Sequence, residues 1–369
     1  MSNHKVEVSY RIPLYNCKNM KNKWFVLLVS IFSLFSCGDG YDSYKNVHTF
    51  DFDDFVKTET LHGNVLNFDS LVMMPTEVHV LDSILLVVEA MDDKLIHLYN
   101  LNTRKHIGAR ISRGQGPQDM ILPVIISMNE NTLYIADMML SVLRKYDMKD
   151  FLNHDSPTFL SEVKFEDRIY IDAALMKDKV WGYLYTDNCI LSEFNLLDGK
   201  RLKGGMHYPE TTIQYTDAER RDAFYMSVAS DDKERLVIAY SLTDLLDFYD
   251  TNGSLLKRLH GPEQFYSYTK EYHDGNVVTT KLDGERNREA YFSPCWVNDG
   301  LFVLYDGEHL NAPNHDSNSG WIFSFSNDGI PKTAYQLDVP LFRCCVDSKS
   351  RKIYGISINP EYQIVEYSY

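Results

Sequence analysis

The chain reads as an all-β protein: a six-bladed β-propeller whose last blade is closed by a strand from the N-terminal side. Three observations predict this. Short strand-like runs rich in β-branched and aromatic residues recur along the sequence, helical periodicity is nowhere sustained over a comparable length, and the runs fall into six copies. A spacing of roughly 50 residues is the period of a propeller, in which each blade is a four-stranded sheet.

The copies can be taken in order. Second strands read ILLVVEA (84–90), LYIAD (133–137), VWGYLY (180–185), LVIAYS (236–241), LFVLYD (301–306) and KIYGISI (352–358). Third strands read LIHLYN (95–100), VLRKYD (142–147), ILSEFN (190–195), LLDFYD (245–250), WIFSFS (321–326) and YQIVEY (362–367). Asp198-Gly199, Asn252-Gly253 and Asp328-Gly329 supply turn signals between strands. The fifth copy carries an insertion, GEHLNAPNHDSNSG (307–320). The chain ends at the third strand of the sixth copy, so its fourth is expected from TETLHGNVLNF (58–68). That closure hides both free edges of the ring.

Between the first and second copies lies ISRGQGPQDM (111–120). A phosphate-binding loop needs GxxxxGK[ST] or a following helix, and RGQGP has neither. Its glycines suit a crossover from the outer edge of one blade to the inner edge of the next. A related stretch, Gly261-Pro262-Glu263-Gln264-Phe265, recurs three blades later at the same phase. The RGQGP turn, the LYIAD-type and VLRKYD-type strands and a lipobox-like Leu34-Phe35-Ser36-Cys37 together resemble the TolB-like six-bladed propeller lipoproteins of Bacteroidetes over residues 57–369. The resemblance implies the fold and an envelope location, and carries no family-wide reaction. Gln118 and Asp119 depart from the glycine-rich GPGE form of the turn.

The N-terminal residues carry an address. Lys21 and Lys23 precede an apolar run, Trp24–Ser36, of 13 residues, which is the length of a signal peptide and too short to span a bilayer. The expected organisation is an upstream extension at 1–19, a lipoprotein signal peptide at 20–36, a lipidated tether at 37–56 starting at Cys37, and the propeller at 57–369. Localisation to the outer membrane of the cell envelope follows, with the membrane a partner through the lipid anchor. Residues 37–369 hold 32 basic and 51 acidic residues, a net charge of −19. An anionic body is repelled by anionic lipid and excludes nucleic acid as a partner. Cys189, Cys295, Cys344 and Cys345 form no CxxC and read as buried thiols, with a bridge from Cys295 to the 344/345 pair as the alternative.

Strands of a blade alternate in direction, so the inter-blade crossovers and the second-to-third loops emerge on one face. The long segments 203–222, 261–288 and 307–320 belong to those two classes. They should place Tyr208, Tyr215, Arg220, Arg221, Tyr266, Tyr268, Tyr272, His273, Arg286 and His309, with Arg113, around the channel mouth. Aromatic and arginine side chains are those a recognition surface uses, so a protein or glycan ligand is expected there, bound by a propeller that is monomeric by itself. No cofactor is expected. The rival is a metal-dependent hydrolase or lyase of the lactonase-like propeller type, for which Asp306, His309 and His315 are the candidate ligands. His79 and Asp172 lie near first strands and should line the channel as isolated polar residues.

Overall fold

The structure, a computed structural model, describes residues 43–70, 73–170, 172–231, 235–275, 277–298, 300–313, 318–358 and 360–369. The segment 1–19, the signal peptide at 20–36 and Cys37 lie outside the described residues. Six antiparallel sheets follow one another in sequence order as blades of a propeller. Their first strands are Pro75–Leu81, Pro123–Met128, Ala173–Met176, Met226–Ser230, Tyr291–Val297 and Arg343–Asp347. All twelve sequence-predicted second and third strands form, from Ile84–Glu89 in blade one to Gln363–Ser368 in blade six.

No blade has a core of its own. Apolar side chains meet in six clusters, each shared by two neighbouring blades. Leu85, Val87 and Tyr99 of blade one pack on Tyr354, Ile356 and Ile364 of blade six and close the ring. Second strands are covered on both faces, which is why Leu236–Tyr240 is buried at every position. A strand covered on both sides reads as a continuous apolar run, not as an alternation.

The expected closure holds over a shorter span than the sequence suggested. Asn64–Val65 pairs antiparallel with the third strand of blade six as its outer strand. Thr58–Leu61, expected in the same strand, belong instead to a strand, Lys57–Leu61, that runs parallel along the outer strand of blade five, from Lys57 opposite Thr333 to Leu61 opposite Leu337. Further upstream, His48–Thr49 pairs parallel with Leu259–His260 of blade four. The tether expected at 37–56 is therefore corrected: from residue 43 the chain is a strap across the rims of blades four, five and six. Tyr44, Phe50 and Phe55 hold it down, at 5%, 5% and 7% exposure. The Phe55 ring packs 4.7 Å from that of Phe323. The acidic run Asp51 to Asp54 lies on the surface of this strap in a capped turn, in which Asp51 Oδ1 accepts from the Asp53 amide at 2.8 Å.

Candidate functional site

Two of the long segments form a layer that is more ordered than loops of that composition suggested. Residues 203–222 and 261–288 knit into one layer beside blades three and four. The first contributes a helix, Asp217–Ala223, started by a capping box of Thr216 and Glu219. The second contributes a hairpin of Thr269–Asp274 and Val277–Leu282. Glu219 Oε1 accepts from the Glu271 amide at 3.0 Å, Thr216 Oγ1 donates to Glu271 at 2.6 Å, and Thr280 bonds to Asp222. The described start of the insertion within blade five, 307–313, runs beside residues 284–289. Leu310 N donates to Asn287 O at 3.0 Å and Asn311 N to Gly284 O at 3.2 Å.

Most of the predicted recognition residues serve that layer. Tyr266 stacks on Tyr44 at 4.9 Å, Tyr215 donates to Ser267 O at 2.7 Å, and Tyr208 packs near Phe224 at 6.0 Å. Three arginines lie over rings: Arg220 over Tyr208, Arg221 over Tyr185 and Arg286 over Tyr268, at 5.8, 4.5 and 3.4 Å. Arg113 sits apart, in the crossover between blades one and two, where it donates to the carbonyls of Asp92 and Ala90. His309 is exposed and pairs by its backbone with Arg288. Tyr272 and His273 are exposed on the hairpin, with His273 Nε2 2.7 Å from Glu271.

The RGQGP segment is a turn, as its sequence suggested. A Cβ on Gly114 or on Gly116 would lie 2.6 Å from the Asp119 carboxylate, which accepts the Gly116 amide. The related Gly261 needs its missing side chain for another reason: the strap crosses it, and a Cβ would meet Phe50 O at 2.1 Å. Crossovers are tied down by carboxylates ending the second strands or starting the next loop. Asp137 accepts from Ile121 and Leu122, and Asp244 from Glu263, Gln264 and Phe265.

The channel is a separate site. First strands enclose a cavity of about 750 Å³ that extends to the first-to-second turns, at Asp82, Glu130 and Lys349. It therefore reaches the short-turn face, and none of the eleven predicted recognition residues lines it. Asp172 and His79 do line it, and they are not isolated. Asp172 accepts the amides of Ala173 and Val228, each at 2.9 Å; Glu77 Oε2 accepts the Ile125 amide at 3.1 Å and lies 3.2 Å from His79 Nε2. Ser293 Oγ likewise accepts the Cys344 amide at 3.1 Å. These bonds stitch blade one to two, three to four and five to six, satisfying inner-edge amides that no neighbouring strand reaches.

Burial pushes the Asp172 carboxyl up to about 7, against the downward pull of the two amides. Burial also lowers the Arg343 guanidinium, while Glu77, Tyr225 and Asp172 hold it up. Arg235 pairs with Asp231 at 2.8 Å and lies 4.9 Å over the Trp296 ring on the same wall. Cys189, Cys295, Cys344 and Cys345 are free thiols, and burial raises all four. Among the described residues no group of three metal-ligating side chains comes together. Asp306 accepts the Glu308 amide at 3.2 Å, and His315 lies outside the described residues.

A family model described as TolB-like 6-blade propeller-like matches residues 51–349. The chain belongs to the TolB-like six-bladed propellers. This TolB-like propeller superposes on a member of the DUF4221 family from Bacteroides vulgatus with a TM-score of 0.54, at 11% identity, over 84% of this chain and 96% of that one. A putative exported protein from Bacteroides fragilis gives a TM-score of 0.46 at 12% identity, over 87% and 98%. Such likeness describes the fold alone. No curated protein matches the sequence. Sequence reasoning missed Glu77 and Arg343, whose one available signal was a charged residue inside a first strand.

Proposed function

We propose that this TolB-like propeller is a lipid-anchored binding module of the cell envelope that recognises a protein or glycan partner through its long-loop layer. The observation that carries the reading is the layer itself. Two insertions from different crossovers are locked to each other by three side-chain contacts, and they display Tyr272 at 53% exposure beside His273. A surface already ordered before contact loses less entropy on binding. Lipidation at Cys37 would leave five residues before Ser43, a reach of at most about 20 Å. Tyr44, the next residue, is seated against Phe224, His260 and Tyr266, so the layer would lie beside the anchor.

A photo-crosslinking residue at Tyr272, introduced into the protein in intact envelopes, tests this. A discrete adduct is expected there and not from Leu197, which is 85% exposed in the third-to-fourth turn of blade three on the opposite face. Tyr272→Ala with His273→Ala should abolish partner recovery at an unchanged melting temperature. Equal adducts from both positions, or full recovery with the double variant, would remove the reading.

A further inference from the structure

We infer that the channel is a binding site for a small zwitterionic molecule of the amino-acid or short-peptide class, with its carboxylate on Arg343 and its ammonium on Glu77. This is independent of the long-loop reading, because the cavity reaches the other face of the ring.

The argument begins with Arg343. It starts the first strand of blade six and lines the cavity, with its guanidinium 4.0 Å over the Phe342 ring. Its one hydrogen bond among the described residues runs from Nη1 to the Phe342 carbonyl at 2.9 Å. No carboxylate closes to ion-pair distance of it among those residues, although Glu77 and Asp172 both act on its charge from blades one and three. A withdrawn arginine is ordinarily paired, because an uncompensated cation in a low dielectric is expensive. A guanidinium that lines a cavity with Nε and Nη2 unspent among the described residues is the arrangement that takes a carboxylate in two parallel bonds.

The opposite charge is supplied by the neighbouring blade. Both Glu77 contacts described above use Oε2, which leaves Oε1 available to an incoming donor. The Asp172 carboxylate shares the cavity with it, and the charge of Glu77 adds to the cost of ionising Asp172. Arg343, Glu77 and Asp172 thus line one cavity with no ion pair among the three, and a ligand bearing both signs completes the set. A purely anionic ligand would meet Glu77 and Asp172; a purely cationic one would meet Arg343. The volume, about 750 Å³, suits a molecule of dipeptide size and falls within the range of small-molecule pockets. Arg235 over Trp296 and the hydroxyl of Ser293 offer further polar and aromatic wall.

The test uses the purified protein and ligand-observed NMR. The probes are the free amino acids and the Gly-X dipeptides, each measured beside its C-terminal amide and its N-acetyl form. At least one free zwitterion is expected to bind at about 1 mM or tighter. Amidation or acetylation should each weaken it about tenfold, since each removes one charge-assisted contact. Arg343→Met should reduce affinity by a similar factor, and Glu77→Gln, which keeps an acceptor for the Ile125 amide, should weaken free zwitterions more than their N-acetyl forms. Absence of binding across the whole panel overturns the inference. So do equal affinities for the free and blocked forms, which the wild-type protein alone decides if a variant fails to fold.

Discussion

Asp172 shows how one side chain can hold two duties that oppose each other. As a carboxylate it accepts amides from its own blade and the next, yet its position at the channel wall disfavours the charge. Its folded value, about 7, stands above the ordinary 3.8. The folded state thus binds the proton more tightly than the unfolded chain, and by linkage the group's contribution to stability is fully present below about 4 and is lost as pH rises through about 7. The difference between wild type and Asp172→Asn in urea unfolding should change by up to about 4 kcal/mol over that interval and level off above it. A pH-independent difference would show that Asp172 ionises normally. At this scale the sequence was partly legible. His79 and Asp172 stood out as polar residues near first strands, whereas Arg343 reads as an ordinary strand-edge cation until it is seen to form no ion pair among the described residues. Tyr266 and Arg113 illustrate the converse. Their residue types suit recognition, but their partners, the Tyr44 ring and two backbone carbonyls, come from parts of the chain that no local pattern connects to them.

The strands were legible and the strap was not, for a physical reason. A blade's strands are specified by their own apolar pattern and by turns a few residues away. The strap's structure is specified by where the outer strands of blades four and five leave an edge unpaired, more than two hundred residues later in the chain. Its own sequence, alternating acids with single phenylalanines, reads as polar linker. The distinction can be measured. Phe55 packs among Phe50, Phe323 and Phe325. Phe55→Ala should therefore destabilise the protein by about 3 kcal/mol, the scale of a buried aromatic deletion. A tether residue would change stability by less than about 0.5 kcal/mol. Chemical denaturation of the two proteins separates these outcomes.

In the whole molecule, shared cores make the blades interdependent. Each apolar cluster takes residues from two blades, so losing one blade opens two clusters and exposes the edges of its neighbours. Unfolding should accordingly be a single transition. Tryptophan fluorescence, reporting on Trp181 in blade three and on Trp296 and Trp321 in blade five, should coincide with far-ultraviolet circular dichroism. Separated midpoints would mean that groups of blades fold by themselves.

The order in which the residues are made gives the strap a further meaning. His48 finds its place beside Leu259, Lys57 beside Thr333 and Val65 beside Val365. These residues must therefore wait until the strands that receive them have been made. For a polypeptide threaded through a membrane from its N-terminus, the leading segment emerges with its phenylalanines bare and its strand edges unmatched, while the sheets that receive it are still on the other side. Contacts of such separation form slowly, because a long loop has to close before they give any return. The ring is completed last by residues made early, and until then their apolar side chains and strand edges stay open to other partners.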